Sequence, residues 1–212
     1  MGANITLQDT GQERRAARAA VVHPAWVRVT HWINAVAMLV MILSGWRIYN
    51  ASPLFDFDFP NGITLGGWLA GALLWHFAAM WVLAINGLVY IVLGCLTGRF
   101  RRKLVPVRAR EIGATLRQAL TFRLAHDDPA SYNAVQKLLY IAVLLAGILV
   151  VLSGLSIWKP VQLWWLTALF GGYDLARYVH FFAMAAIVGF IAIHVAMALL
   201  VPRHLRAMIT GR

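Results

Sequence analysis

The stretch from Ala176 to Val201 constrains the chain most: it is long and apolar enough to cross a bilayer, yet it carries two imidazoles, His180 and His194. Fourteen residues of α-helix make just under four turns, so both rings face nearly the same side, about 21 Å apart along the axis. One is expected near each membrane surface. A polar ring inside a spanning helix is costly and marks function, and two on one face point to stacked cofactors or to a relay.

The rest of the 212 residues fits a membrane setting. Hydrophobic residues make up 61% and charged residues 13%, and the mean hydropathy is +0.70, far from the average soluble domain. Four apolar segments, Trp32 to Tyr49, Leu65 to Leu96, Val135 to Trp158 and Ala176 to Val201, are near or above the roughly 20 residues a bilayer requires. Backbone groups in lipid must satisfy one another, so these segments read as helices. The expected fold is an all-α integral membrane protein, a four-helix transmembrane bundle with both termini cytoplasmic. An interfacial helix is expected in the cytoplasmic loop, where Ile112, Leu116 and Leu120 recur four apart among the arginines of Pro106 to Leu124. The chain divides into a flexible basic tail over 1–22, a transmembrane domain over 23–205 and a C-terminal tail over 206–212.

A net charge of +11 raises nucleic acid as a partner, but the distribution of that charge argues against it. Sixteen of the nineteen Lys and Arg residues lie before the first span, between the second and the first turn of the third, or after the fourth. Those segments share one side of a membrane crossed four times. The opposite side balances Arg47, Lys159 and Arg177 against Asp56, Asp58 and Asp174. The excess of positive charge then places both termini in the cytoplasm. The opening residues lack the apolar core of a cleavable signal peptide and are expected to be retained, their arginines resting on anionic headgroups. Cys95 stands alone, so no internal disulfide forms, and no C-x-x-C-H is present to attach a haem covalently.

Depth sorts the intramembrane histidines into pairs. His31 and His194 fall toward the inner surface, on spans one and four; His76 and His180 fall toward the outer surface, on spans two and four. Facing helices of a bundle build cofactor sites from such side chains, and a b-type haem takes axial imidazoles. The expectation is two bis-histidine b haems, His31 with His194 and His76 with His180. The alternative is that the rings make interhelical hydrogen bonds or line a proton path. Met80 and Met184, one turn beyond His76 and His180, are possible substitutes for an imidazole, and His23, His126 and His204 lie in polar flanks. Arg28, Arg47, Lys159 and Arg177 stand at levels that suit haem propionates or ordinary interfacial snorkelling. Gly45, Gly71, Gly154 and Gly189 suit close approach of a flat macrocycle. The ends of spans one and three echo one another, Leu43-Ser44-Gly45 in the first and Leu152-Ser153-Gly154 in the third, which reads as an old duplication or as a small-residue notch at one depth.

HPAWVRVTHWINAVAMLVMILSG, GGWLAGALLWHFAAMW, and the His180 and His194 spacing resemble the bacterial cytochrome b-561 superfamily, in the branch of the cytochrome b subunits of nickel-iron hydrogenase, formate dehydrogenase and thiosulfate reductase. The likeness covers residues 22–205. It implies a di-haem electron-transfer subunit of the bacterial inner membrane. Electrons would pass between ubiquinone or menaquinone and a periplasmic redox subunit, a molybdopterin or nickel-iron enzyme. SYNAVQK resembles the formate dehydrogenase gamma segment near the inner haem, which makes Asn133, with Gln136 and Lys137, a quinone site; capping by Ser131 or Asn133 is the alternative. Asn34 and Asn86 are further quinone candidates or simply join helices. The rival functions are a stand-alone superoxide:quinone oxidoreductase, which asks for a basic outer funnel, and a haem-free transporter lined by the histidines.

Overall fold

A computed structural model describes residues 24–98, 129–200 and 202–211, with only the backbone of 129–141, 203, 204 and 207. Every regular element among the described residues is helical. They are α1 (Ala25–Ala51), a 3-10 turn (Asn61–Ile63), α2 (Leu69–Leu96), α3 (Pro129–Trp158), α4 (Trp164–Leu169), α5 (Tyr173–Leu200) and α6 (Pro202–Thr210). Three of them, α1, α2 and α5, are long and apolar enough to cross a membrane, and α3 contributes a shorter apolar stretch, Ala142–Trp158. The interfacial helix expected over Pro106 to Leu124 lies outside the described residues.

The helices start and stop for local reasons. Pro24 precedes α1 and Pro202 opens α6, positions where a missing N–H is harmless. The second span begins at Leu69, four residues later than the apolar run at Leu65. Gly66 and Gly67 have φ of 109° and 69°, a left-handed turn that a helix cannot contain. The Leu65 N–H instead donates to the Leu43 carbonyl of α1 at 3.0 Å, seating the turn on its neighbour. At the other ends, α1 and α3 begin six or seven residues before the apolar runs Trp32 to Tyr49 and Val135 to Trp158. Helix of that length, about 40 Å or more, is longer than a hydrocarbon core about 30 Å thick.

Large apolar side chains point outward along every long helix, Leu74, Ile85, Leu88, Leu144, Val151 and Leu199 among them. The buried positions are mostly small: Ala37, Ala72, Ala79, Ala146, Ala176 and Ala183. Lipid is as apolar as leucine, so helices in it associate through close packing of small residues and through hydrogen bonds. Accordingly α1 packs along α2 and α3 along α5, whereas among the described residues the backbones of the two pairs approach one another at few points. Rings bridge the gap: His31 to His194, Tyr49 to Phe181, and Phe77 to Trp158. Asn86 also ties α1 to α2, its Nδ2 donating to the Thr30 carbonyl at 2.8 Å and to Asn34 Oδ1 at 2.7 Å.

Each end is closed differently. The 52–68 connection, called the outer end below, folds back through Phe55, Phe57 and Phe59, which pack around Tyr49 and Phe181. At the inner end α6 turns back beside the start of α1. Arg28 Nη1 donates to the Ile209 carbonyl at 2.6 Å and Trp32 Nε1 to the Met208 carbonyl at 3.3 Å. These bonds satisfy carbonyls that a helix end leaves open, with a cation at the negative end of the dipole. The residues read from sequence as a tail from 206 onward are thus helical as far as Thr210. The chain's end and the start of its first span lie together.

Candidate functional site

Two levels of histidine lie between the helix pairs. At the inner level His31 of α1 and His194 of α5 approach with ring centroids 6.2 Å apart and planes tilted by 60°. His194 is braced by Phe190, stacked one turn earlier at 5.8 Å, and His31 meets the edge of the Trp32 indole at 5.5 Å. Metal–imidazole bonds are about 2 Å long, and adding roughly 1 Å from nitrogen to ring centre on each side puts two axial imidazoles about 6 Å apart. The observed spacing therefore fits a metal gripped between these two rings.

Arg28 lies three residues before His31, on the same face of α1. Its Nη1 is engaged by α6, but its Nε is buried without a partner. A buried donor left unmade costs about 1–3 kcal/mol, and a carboxylate oxygen of a bound group would satisfy it. Among the described residues no cluster of three or more His, Cys, Asp or Glu is arranged to hold a bare metal ion. Paired imidazoles beside an unpaired guanidinium nitrogen suit an iron porphyrin with its propionates.

At the outer level each ring is held by its own partner helix. His76 of α2 sets Nδ1 3.1 Å from the Met41 carbonyl and 3.1 Å from Ser44 Oγ, both on α1. His180 of α5 sets Nδ1 3.0 Å from the Val150 carbonyl and 3.2 Å from Ser153 Oγ, both on α3. With Nδ1 fastened in each, Nε2 is the nitrogen left for a ligand. This is how metal-binding histidines are usually oriented, by a hydrogen bond at the far side of the ring.

At three of the four glycines read from sequence as clearance for a macrocycle, protein atoms lie close to where a Cβ would stand. A Cβ on Gly45 would lie 3.5 Å from His76 Cε1, one on Gly154 would lie 3.1 Å from His180 Cε1, and one on Gly71 would lie 2.2 Å from the Gly66 carbonyl oxygen. Gly45 and Gly154 are thus floors beneath imidazoles, and Gly71 packs on the 52–68 turn; only Gly189 faces open space. The numbers differ enough to matter. Gly45→Ala is expected to bind haem normally, since 3.5 Å is ordinary contact. Gly154→Ala is expected to displace His180 by a few tenths of an ångström and to destabilise by about 1–3 kcal/mol, as overpacking does. Thermal release of haem, followed by absorbance in detergent, measures both.

The remaining candidates are placed as follows. Arg47 Nη1 donates to Asn61 Oδ1 at 2.6 Å, and Arg177 donates to the backbone and side-chain oxygens of Ser52, so both hold the outer connection. Lys159 lies over the Trp158 ring at 4.8 Å. Asn133, Gln136 and Lys137 fall in the first turns of α3, where only the backbone is described. Asn34 and Asn86 bond each other across α1 and α2. Sequence reading missed Ser44 and Ser153 as partners of the outer rings, although the repeated Leu-Ser-Gly was the available signal.

Known proteins resemble this chain over most of its length. The sequence profile described as prokaryotic cytochrome b561 matches residues 22–211. A putative protein-methionine-sulfoxide reductase subunit, YedZ1 of Azospira oryzae, is 53% identical over 190 residues, covering 90% of this chain and 96% of its own. A probable Ni/Fe-hydrogenase B-type cytochrome subunit of Bradyrhizobium diazoefficiens is 24% identical over 204 residues, covering 88% of this chain and 81% of its own. No solved structure matches. With its apolar helices and these relatives, the chain belongs to the prokaryotic cytochrome b561 family and is a transmembrane electron-transfer cytochrome.

Proposed function

We propose that this cytochrome carries electrons through two b haems across the bacterial inner membrane, from quinol to a periplasmic reductase subunit. The observation that carries the reading is the meeting of His31 and His194 at 6.2 Å from helices of different pairs. On this reading α1, α2, α3 and α5 form a four-helix transmembrane bundle, with His31 and His194 as inner ligands and His76 and His180 as outer ones. Iron porphyrin at each level supplies reversible one-electron transfer, at a potential set by its ligands, their hydrogen bonds and burial.

The chain's own residues do the rest. Helix α5 contributes a ligand to each level, so a single rod fixes their separation, about 21 Å along its axis. Arg28 offers Nε to a propionate and pins α6 through Nη1. Asn133, Gln136 and Lys137, at the inner start of α3, form the quinone site and exchange protons with the cytoplasm. Both termini are cytoplasmic: the docking of α6 beside α1 supports one shared side, and the basic excess assigns that side. Among the described residues Arg47 and Arg177 are occupied by the outer connection and Lys159 lies over Trp158, which argues against a basic funnel for a superoxide anion and favours a protein acceptor.

The partner we propose is a molybdopterin enzyme that reduces methionine sulfoxide in periplasmic proteins, a reading supported by the name of the relative at 53% identity. The electrons balance. Quinol releases two electrons and two protons on the cytoplasmic side; the sulfoxide takes up two electrons and two protons and yields methionine and water. Outward electron movement runs with an inside-negative potential, about 2.3 kcal/mol per 100 mV. Chain purified from its own membranes in mild detergent is expected to bring a periplasmic redox subunit with it. Quinol should reduce the haems, and oxidised methionine-rich protein should reoxidise them. Quinol reduction without reoxidation would retire the sulfoxide reading alone, and no reduction by quinol would retire the electron route.

A further inference from the structure

The Leu-Ser-Gly repeat does something that neither haem ligation nor helix packing requires. Ser44 donates its hydroxyl proton to the Val40 carbonyl at 2.6 Å, and Ser153 donates to the Leu149 carbonyl. Such bonds to the preceding turn are common for serine in apolar helices. With its proton so placed, each hydroxyl turns only lone pairs toward the imidazole, at 3.1 Å from His76 Nδ1 and 3.2 Å from His180 Nδ1. The second neighbour of each Nδ1, the carbonyl of Met41 or of Val150, is also an acceptor. A ring nitrogen faced by two acceptors carries the proton. Both serines are fully buried, so no water competes for these bonds.

We propose that Ser44 and Ser153 are positioning residues for the outer haem: each holds its histidine as the Nδ1–H tautomer, with Nε2 bare for iron, and lowers the haem's midpoint potential. The lowering follows because a hydrogen bond drawn from Nδ1–H makes the imidazole a stronger donor, which favours ferric iron over ferrous. The two cradles are one device used twice. Each has an acceptor carbonyl three residues before the serine and a glycine floor one residue after it, on α1 for His76 and on α3 for His180. Both axial ligands of the outer haem are therefore tuned alike.

This inference rests on the reading of His76 and His180 as outer-haem ligands, and the test separates the two. Redox titration of the haem α band in the purified protein resolves two components, and the one missing from His76→Ala is the outer. Ser44→Ala and Ser153→Ala each keep one carbonyl acceptor, so both variants should retain two haems. Each should raise the outer potential by a similar amount, leave the inner component unmoved, and give a larger shift when combined. Ser44→Cys and Ser153→Cys, whose thiol is a weaker acceptor, should shift the same component by less, and they carry the test if an alanine variant sheds its outer haem. Two haems retained with the outer potential unmoved or lowered, or an equal shift of both components, would overturn the proposal. A wild-type chain with a single haem would instead strike the ligand reading itself, and the tuning role with it.

Discussion

His76→Ala should leave a protein with one b haem per chain where the wild type has two, and His180→Ala should lose that same haem. His31→Ala and His194→Ala should lose the other one. The proposed pairing is supported at the inner level by rings that meet at 6.2 Å, and at the outer level by two rings held alike at Nδ1, each by an adjacent helix. Removing one axial imidazole leaves a metal bonded from one side and a cavity beside it, in helices whose packing residues are mainly alanine. The functional effects should divide in the same way. Without the outer level, quinol still reduces the inner haem, yet transfer to a periplasmic acceptor falls to background. Without the inner level, neither step proceeds. Pyridine haemochrome content and quinol-driven reduction of each variant check both divisions, and two variants of one pair losing different haems would contradict it.

The largest effect on folding is expected at Gly66. Its φ of 109° lies where side chains are disfavoured, which alone costs about 1–2 kcal/mol. A Cβ there would also stand 2.4 Å from both the backbone N and the Cα of Ala72. Backbone cannot yield as a flexible side chain does, because it belongs to the first turn of α2. The turn is held on both sides, by Leu65 N–H on the Leu43 carbonyl and by Trp68 N–H on the Gly66 carbonyl at 2.8 Å. Gly66→Ala should therefore shift the start of α2 and with it His76, and little haem-loaded monodisperse protein should be recovered. Gly67→Ala is the control: φ is 69° but nothing lies within 4 Å of its Cβ, so it should keep its haem and lose about 1 kcal/mol. Size-exclusion yield and haem absorbance of the two variants decide the matter, and equal wild-type yields would contradict the role given to Gly66.

What the sequence made legible was what periodicity and depth encode. Apolar length marked the long helices, with starts that differ by up to seven residues, and the fourteen-residue spacing of His180 and His194 put one imidazole at each level. The errors came where three dimensions decide. The apolar run at Leu65 continues straight into α2, and only the left-handed conformations of Gly66 and Gly67 show that a turn intervenes. The repeated Leu-Ser-Gly was visible but uninterpretable until α1 was seen beside His76 and α3 beside His180. From sequence, Arg28 was one interfacial cation among several. In the structure its Nη1 caps α6 while its Nε stays buried and unpaired. The helix α6 escaped notice because PRHLRAMIT is nine residues, about two and a half turns, shorter than the stretch over which helical periodicity is read.

The central claim is that rings from different helices grip iron porphyrin at two heights, and the haem-to-protein ratio of the purified wild-type chain tests it most directly. Pyridine haemochrome spectra set against amino-acid analysis should give two b haems per chain. A colourless protein that is monodisperse and fully helical, or one saturated at a single haem, would contradict it.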